Sequence, residues 1–109
     1  MITANSITKK YGDFTALNNL SFNVNKGEIL CLLGANGAGK STTINILLNF
    51  LKPSSGTALI NNLDVTKNPV KTKQFLTYIP ENLMLYPTFS AIENLDYFTK
   101  LSGDKFNNE

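Results

Sequence analysis

Between Asn19 and Asn25 the chain alternates without interruption, with Leu20, Phe22 and Val24 on one side and polar residues on the other. A period of two is that of a β-strand with one face buried. Such a strand pairs antiparallel, and the segment Ile2 to Lys9 is its expected neighbour. After Lys26-Gly27 the tract Glu28-Ile29-Leu30-Cys31-Leu32-Leu33 is apolar without alternation, which predicts a central parallel strand covered on both faces. Glycines at 34, 37 and 39 then break regular structure. Beyond them Ile44, Leu47, Leu48 and Leu51 recur at i, i+3, i+4 and i+7, the spacing of a helix from Gly39 to Leu51 that stops before Pro53.

Lys52-Pro53-Ser54-Ser55-Gly56 has the residues of a turn, followed by a strand over Thr57 to Ile60 and a second turn at Asn61-Asn62. Pro69 suits the first turn of a short helix through Gln74. Leu76 to Ile79 reads as another strand, ended by Pro80. Ser90-Ala91-Ile92-Glu93 has the form of a capping box, and Ile92, Leu95 and Phe98 continue one apolar stripe, so the last helix is expected over 91–102 with Gly103 as its C-cap.

Composition narrows the chemistry. Of 109 residues, 42% are hydrophobic and 17% charged, the balance of a chain that packs a core rather than staying disordered. The net charge of +2 is too slight for an electrostatic footprint on nucleic acid, and no nucleic-acid partner is expected. All ten cations are lysines, so a phosphate site must rely on backbone N–H groups and a point charge instead of the planar Arg fork. Histidine is absent, which removes His-based triads and metal sites from this stretch of chain. The single cysteine, Cys31, cannot form an internal disulfide, and its apolar surroundings predict a buried thiol in a reducing compartment, the cytosol. No apolar run approaches the length of a membrane span, and the first residues lack the charged flank and apolar stretch of a signal peptide.

Residues 34–41, Gly34-Ala35-Asn36-Gly37-Ala38-Gly39-Lys40-Ser41, fit the P-loop pattern of Gly, four residues, Gly, Lys and Ser or Thr. Their context agrees, with an apolar strand expected before them and an amphipathic helix after. Glycines let consecutive N–H groups turn toward an anion, and the helix N-terminus adds free donors and a positive dipole end. Lys40 brings a charge to the β- and γ-phosphates, and the Ser41 hydroxyl is a ligand for Mg²⁺.

With these residues the chain resembles the amino-terminal half of the ATP-binding subunit of ABC transporters. The likeness extends to Ala16-Leu17-Asn18-Asn19-Leu20-Ser21-Phe22, Gly27-Glu28-Ile29, Leu51-Lys52-Pro53-Ser54-Ser55-Gly56, Tyr78-Ile79-Pro80-Glu81 and Glu93-Asn94-Leu95. It implies an α/β fold in which a P-loop core strand and helix stand beside an antiparallel β subdomain, with residues 1–109 as the amino-terminal part of one ATP-binding domain. It also implies a nucleotide site built from Tyr11 and from the run Gly34 to Thr42. Tyr11 matches the aromatic that stacks on adenine in this family; packing beside Phe14 is the alternative reading. Glu81 falls at the Q-loop position, where Gln commonly contacts Mg²⁺ and links nucleotide to membrane partner. A carboxylate there needs an intervening metal beside triphosphate, and a solvated loop acid is the alternative.

Leu101-Ser102-Gly103-Asp104 looks like the start of the family signature but lacks its second Gly and Gln, and reads as a helix end. The acidic Walker B strand, the signature and the switch His are expected beyond Glu109, so no catalytic set is complete in this stretch and the chain alone is expected to be inactive. The resemblance implies ATP and Mg²⁺ as cofactors, a membrane-spanning subunit and a second ATPase domain in a head-to-tail dimer as partners, and a place on the cytoplasmic face of the membrane. The expected function is ATP hydrolysis that powers transport, exporter-like in view of Glu81. The alternatives are a soluble ABC-type ATPase acting on ribosomes or DNA and a non-hydrolysing ATP-binding regulator. A P-loop kinase or GTPase is disfavoured by the Tyr11 and Pro80-Glu81 matches.

Overall fold

Strand β1 (Ile2–Tyr11) runs through the middle of a four-stranded antiparallel sheet. On one side it pairs with β2 (Phe14–Val24), and on the other with β3 (Ser55–Ile60), to which the two-residue β4 (Leu63–Asp64) is joined. The computed structural model describes residues 1–34, 37, 39–82 and 85–103, and the chain divides into two compact units, Met1–Thr77 and Tyr78–Glu109.

The expected antiparallel pairing is present, and Leu20, Phe22 and Val24 share the less exposed face of β2. That strand starts at Phe14, well before the clean alternation does, because Asn19 sits at φ 53 and the register shifts between Ile7, Lys9 and Lys10. A similar irregularity in β1 explains why its buried residues are Ala4 and Ile7, three apart instead of two. Ser6 has φ 48 and the register shifts beside it, so the extra residue is absorbed and Ile7 returns to the core face. The Asn61-Asn62 turn has positive φ at both residues, as a two-residue hairpin connection demands, and it returns the chain into the unanticipated β4.

Helix α1 (Lys40–Leu47) buries Ile46 and Leu47 in one cluster with Ala4, Ile7, Leu17, Ala58, Ile60 and Val65. It ends four residues before the expected Leu51. Asn49 adopts φ 56, a left-handed conformation in which Asn stops helices well, while Leu51 still packs against the core from the following turn. Helix α2 (Pro69–Lys73) has Pro69 in its first turn as expected. Ahead of it, Asp64 Oδ1 accepts from the Thr66 hydroxyl at 2.6 Å and from the Thr66 N–H at 2.8 Å. The hydroxyl bond is the main cause that holds the Asp64 carboxyl below its ordinary pKa.

In the second unit, helix α3 (Ala91–Leu101) opens on a complete capping box. The Glu93 N–H donates to Ser90 Oγ at 3.2 Å and the Ser90 N–H to Glu93 Oε2 at 2.7 Å. Gly103, at φ 86, follows the C-cap Ser102, so the Leu-Ser-Gly run is a helix end. Asn94 is buried and grips the preceding segment: its Oδ1 accepts from the Tyr86 N–H at 2.8 Å, and its Nδ2 donates to the carbonyls of Tyr86 at 3.1 Å and Ser90 at 3.0 Å.

Two expected strands are not formed. Residues 28–33 and 76–79 carry no regular secondary structure, and Ile29 and Leu33 are 95% and 91% exposed. An apolar run becomes a central strand only when strands flank it on both sides. Among the described residues every ladder belongs to the antiparallel sheet, so nothing pairs with residues 28–33. Cys31 is accordingly exposed, against the expectation of a buried thiol.

Candidate functional site

The N-terminus of α1 is prepared by its neighbours. Gly39, its N-cap residue, is buried at φ 94, and its carbonyl accepts from both the N–H of Thr43, at 2.9 Å, and the Thr43 hydroxyl, at 2.8 Å. The N-cap glycine has no side chain with which to cap this helix, and among the described residues no acidic residue occupies its first turn. Its leading N–H groups and positive dipole end are therefore left to an external anion. The Lys40 ammonium donates to the Gly34 carbonyl.

A cavity of about 380 Å³ opens over this helix end. It is lined by Gly37, Gly39, Lys40, Ser41 and Thr42 from the glycine-rich segment and α1, and by Tyr11, Phe14 and Ala16 from the ends of β1 and β2. Tyr11 ends β1 and Phe14 starts β2, where they are direct cross-strand partners, so a short hairpin connection lifts two aromatic rings to the rim. Both are substantially exposed, Tyr11 at 50% and Phe14 at 62%. Tyr11 thus has a ring available to a ligand rather than sealed against Phe14. The volume lies at the low end of small-molecule sites, and among the described residues that line it Lys40 carries the charge. An anion with an attached planar group suits such a space.

Of the residues singled out from sequence, Tyr11, Gly37, Gly39, Lys40, Ser41 and Thr42 come together in this cavity, and Gly34 joins them through Lys40. Ala35, Asn36 and Ala38 lie outside the described residues. Glu81 is an exposed residue of the second unit. Among the described residues there is no group of three or more His, Cys, Asp or Glu side chains able to hold a metal ion. A cation here would be carried by the ligand's own oxygens with the Ser41 hydroxyl, a donor set that fits Mg²⁺, which keeps several waters and takes few protein ligands. Phe14 and Ala16 were not foreseen as lining residues. Their signal was positional, since both follow Tyr11 across a Gly-Asp connection.

Comparison with known proteins bears on what this cavity is. A family model described as ABC transporter matches residues 17–109. The chain belongs to the ABC transporter family. It is 41% identical over 103 residues to the "Probable multidrug ABC transporter ATP-binding protein YbhF" of Escherichia coli, covering 94% of this chain and 18% of that protein. To the Fe(3+) ions import ATP-binding protein FbpC of Brucella abortus it is 39% identical, covering 97% of this chain and 30% of that one. A solved ATP binding subunit of an ABC transporter superposes with a TM-score of 0.80 at 29% identity, covering 94% of this chain and 41% of its own. The fold is therefore that of the ABC ATPase domain, an α/β P-loop architecture, and the chain spans less than half the length of these relatives. Among the described residues no helix is long and apolar enough to cross a membrane.

Proposed function

We propose that the cavity over α1 is an ATP site and that the complete protein hydrolyses ATP to drive transport through a membrane partner. The observation that carries this reading is the meeting, in one cavity, of the Tyr11 ring with the uncapped end of α1 and Lys40. The ring suits the base, and the helix end with its ammonium suits the triphosphate. Gly34, Gly37, Gly39 and Thr42 contribute backbone to the phosphate cradle, together with Ala35, Asn36 and Ala38 by position in the motif. Lys40 provides charge and Ser41 a hydroxyl for Mg²⁺, which when bound neutralises the phosphate oxygens. Glu81 is proposed as a second contact to the metal and a link to the membrane subunit.

Residues 1–109 are read as the first part of one ATP-binding domain that pairs head to tail with a second copy at the cytoplasmic face of the membrane. The likeness to YbhF supports an exporter-like role, whereas the likeness to FbpC, an import protein, supports the opposite direction. ATP titration of the full-length protein with and without Mg²⁺ tests the site. Lys40→Ala is expected to abolish most binding, and Ser41→Ala to reduce chiefly the Mg²⁺-dependent part. Equal affinity in wild type and Lys40→Ala would sink the assignment.

A further inference from the structure

The Lys9 ammonium stands 5.1 Å from the centroid of the Tyr11 ring and donates a hydrogen bond to the Lys52 carbonyl at 2.8 Å. Lysine ordinarily extends into water, yet Lys9 is only partly exposed and its head group is spent on these two contacts. The carbonyl it grips belongs to the turn that follows α1. The same turn is bonded to β1 on either side of Lys9: the Ser54 N–H donates to the Thr8 carbonyl at 2.8 Å, and the Lys10 N–H donates to Ser54 Oγ at 3.0 Å. Three hydrogen bonds therefore fix the backbone and the head group of Lys9 where its charge meets the Tyr11 ring.

From this arrangement we infer that Lys9 is a positioning residue for base recognition, which holds the Tyr11 ring by one face and leaves the other to a nucleobase. The inference rests on the cavity being an ATP site. An exposed tyrosine loses ring freedom when a base stacks on it, and a ring already held in place loses less. A cation against one face also draws π-density toward itself, which favours a purine on the opposite face and leaves a single stacking mode. Lys9 touches neither phosphate nor metal in this scheme, so its effect must pass entirely through Tyr11.

The test compares ATP with inorganic triphosphate, both with Mg²⁺, on the full-length protein and its variants. Lys9→Met keeps the aliphatic stem and removes the charge. It is expected to weaken ATP about three- to fivefold, the range of an exposed cation–π contact, while triphosphate affinity stays within error of wild type. Lys9→Arg, which restores a cation over the ring, is expected to recover most of the ATP affinity. In a Tyr11→Ala background, Lys9→Met should have no further effect on ATP. Unchanged ATP affinity in Lys9→Met, or equal losses for ATP and triphosphate, would overturn the inference. Lys40→Ala in the same series separates the two failures: if it leaves ATP binding intact, the site itself is misassigned, and if it abolishes binding while Lys9→Met does nothing, only the role of Lys9 falls.

Discussion

Leu17 and Gly39 meet so closely that position 39 has no room for a β-carbon. One built there would stand 2.6 Å from Leu17 Cδ2 and 2.8 Å from the Ala16 carbonyl oxygen. The leucine methyl could swing away, but the backbone carbonyl of β2 could not. With φ at 94 the position also disfavours any side chain. Gly39→Ala is therefore expected to cost about 1–3 kcal/mol of stability and to loosen the seat of α1 on β2. A urea midpoint equal to that of wild type would show that the strand gives way more easily than this geometry implies.

Tyr11→Ala should separate base from phosphate. Loss of a stacking ring is expected to weaken ATP by about 1–3 kcal/mol and to leave inorganic triphosphate binding nearly unchanged, because the ring would touch only the base. Parallel calorimetric titrations of the two ligands decide it. Equal losses would identify Tyr11 as a packing residue.

Legibility from sequence followed the range of the forces involved. The capping box at Ser90 and Glu93 and the alternation of Leu20, Phe22 and Val24 are local signals, set within a few residues, and each appears in the structure as read. The segment 28–33 failed because a parallel strand is defined by its neighbours, which its own apolar residues cannot specify. The early stop of α1 was written in Asn49, outweighed in the reading by the periodic Leu51. Phe14 and Lys9 escaped notice at the site for another reason. Their places depend on irregular pairing near the end of β1, where the register shifts between Lys9 and Lys10, and period-two counting does not reach across such a shift.

Asn94 is expected to govern order in the segment before α3. Replacing it with Ala removes the acceptor of the Tyr86 N–H and the donor to the Tyr86 and Ser90 carbonyls. The Tyr86 carbonyl keeps the Phe89 N–H and the Ser90 carbonyl keeps the backbone N–H of residue 94, so the group that loses its partner is the Tyr86 N–H, and amide exchange there should accelerate on the order of tenfold. Exchange at the wild-type rate would mean that the aromatic contacts of Tyr86 with Phe89 and Tyr97 hold the segment without the amide.

The Asp64 carboxyl gives the fold an acid-sensitive contact. Its pKa is lowered in the folded chain, first by the Thr66 hydroxyl, so the contribution is full above the unfolded value of about 4 and fades as pH falls through the lower folded value. Thr66→Val removes that hydroxyl. The variant should be less stable than wild type at about pH 6, and the gap should narrow as pH falls below the ordinary carboxylate range and Asp64 becomes protonated in both. A gap of constant size across that range would show that Thr66 acts by packing alone.

The central place of β1 also sets where the chain can change in length. Ile2 is paired with Val24 on one side and Ile60 on the other, so the strand answers to two ladders at once. Deleting one residue from its regular stretch would turn Ala4 outward and carry Tyr11 off the cavity rim, with neither neighbour free to slide in compensation. The Gly12-Asp13 connection is exposed, yet it too is held to its length, because it sets Phe14 opposite Tyr11. Natural variation in the number of residues should therefore be rare from Ile2 through Phe14.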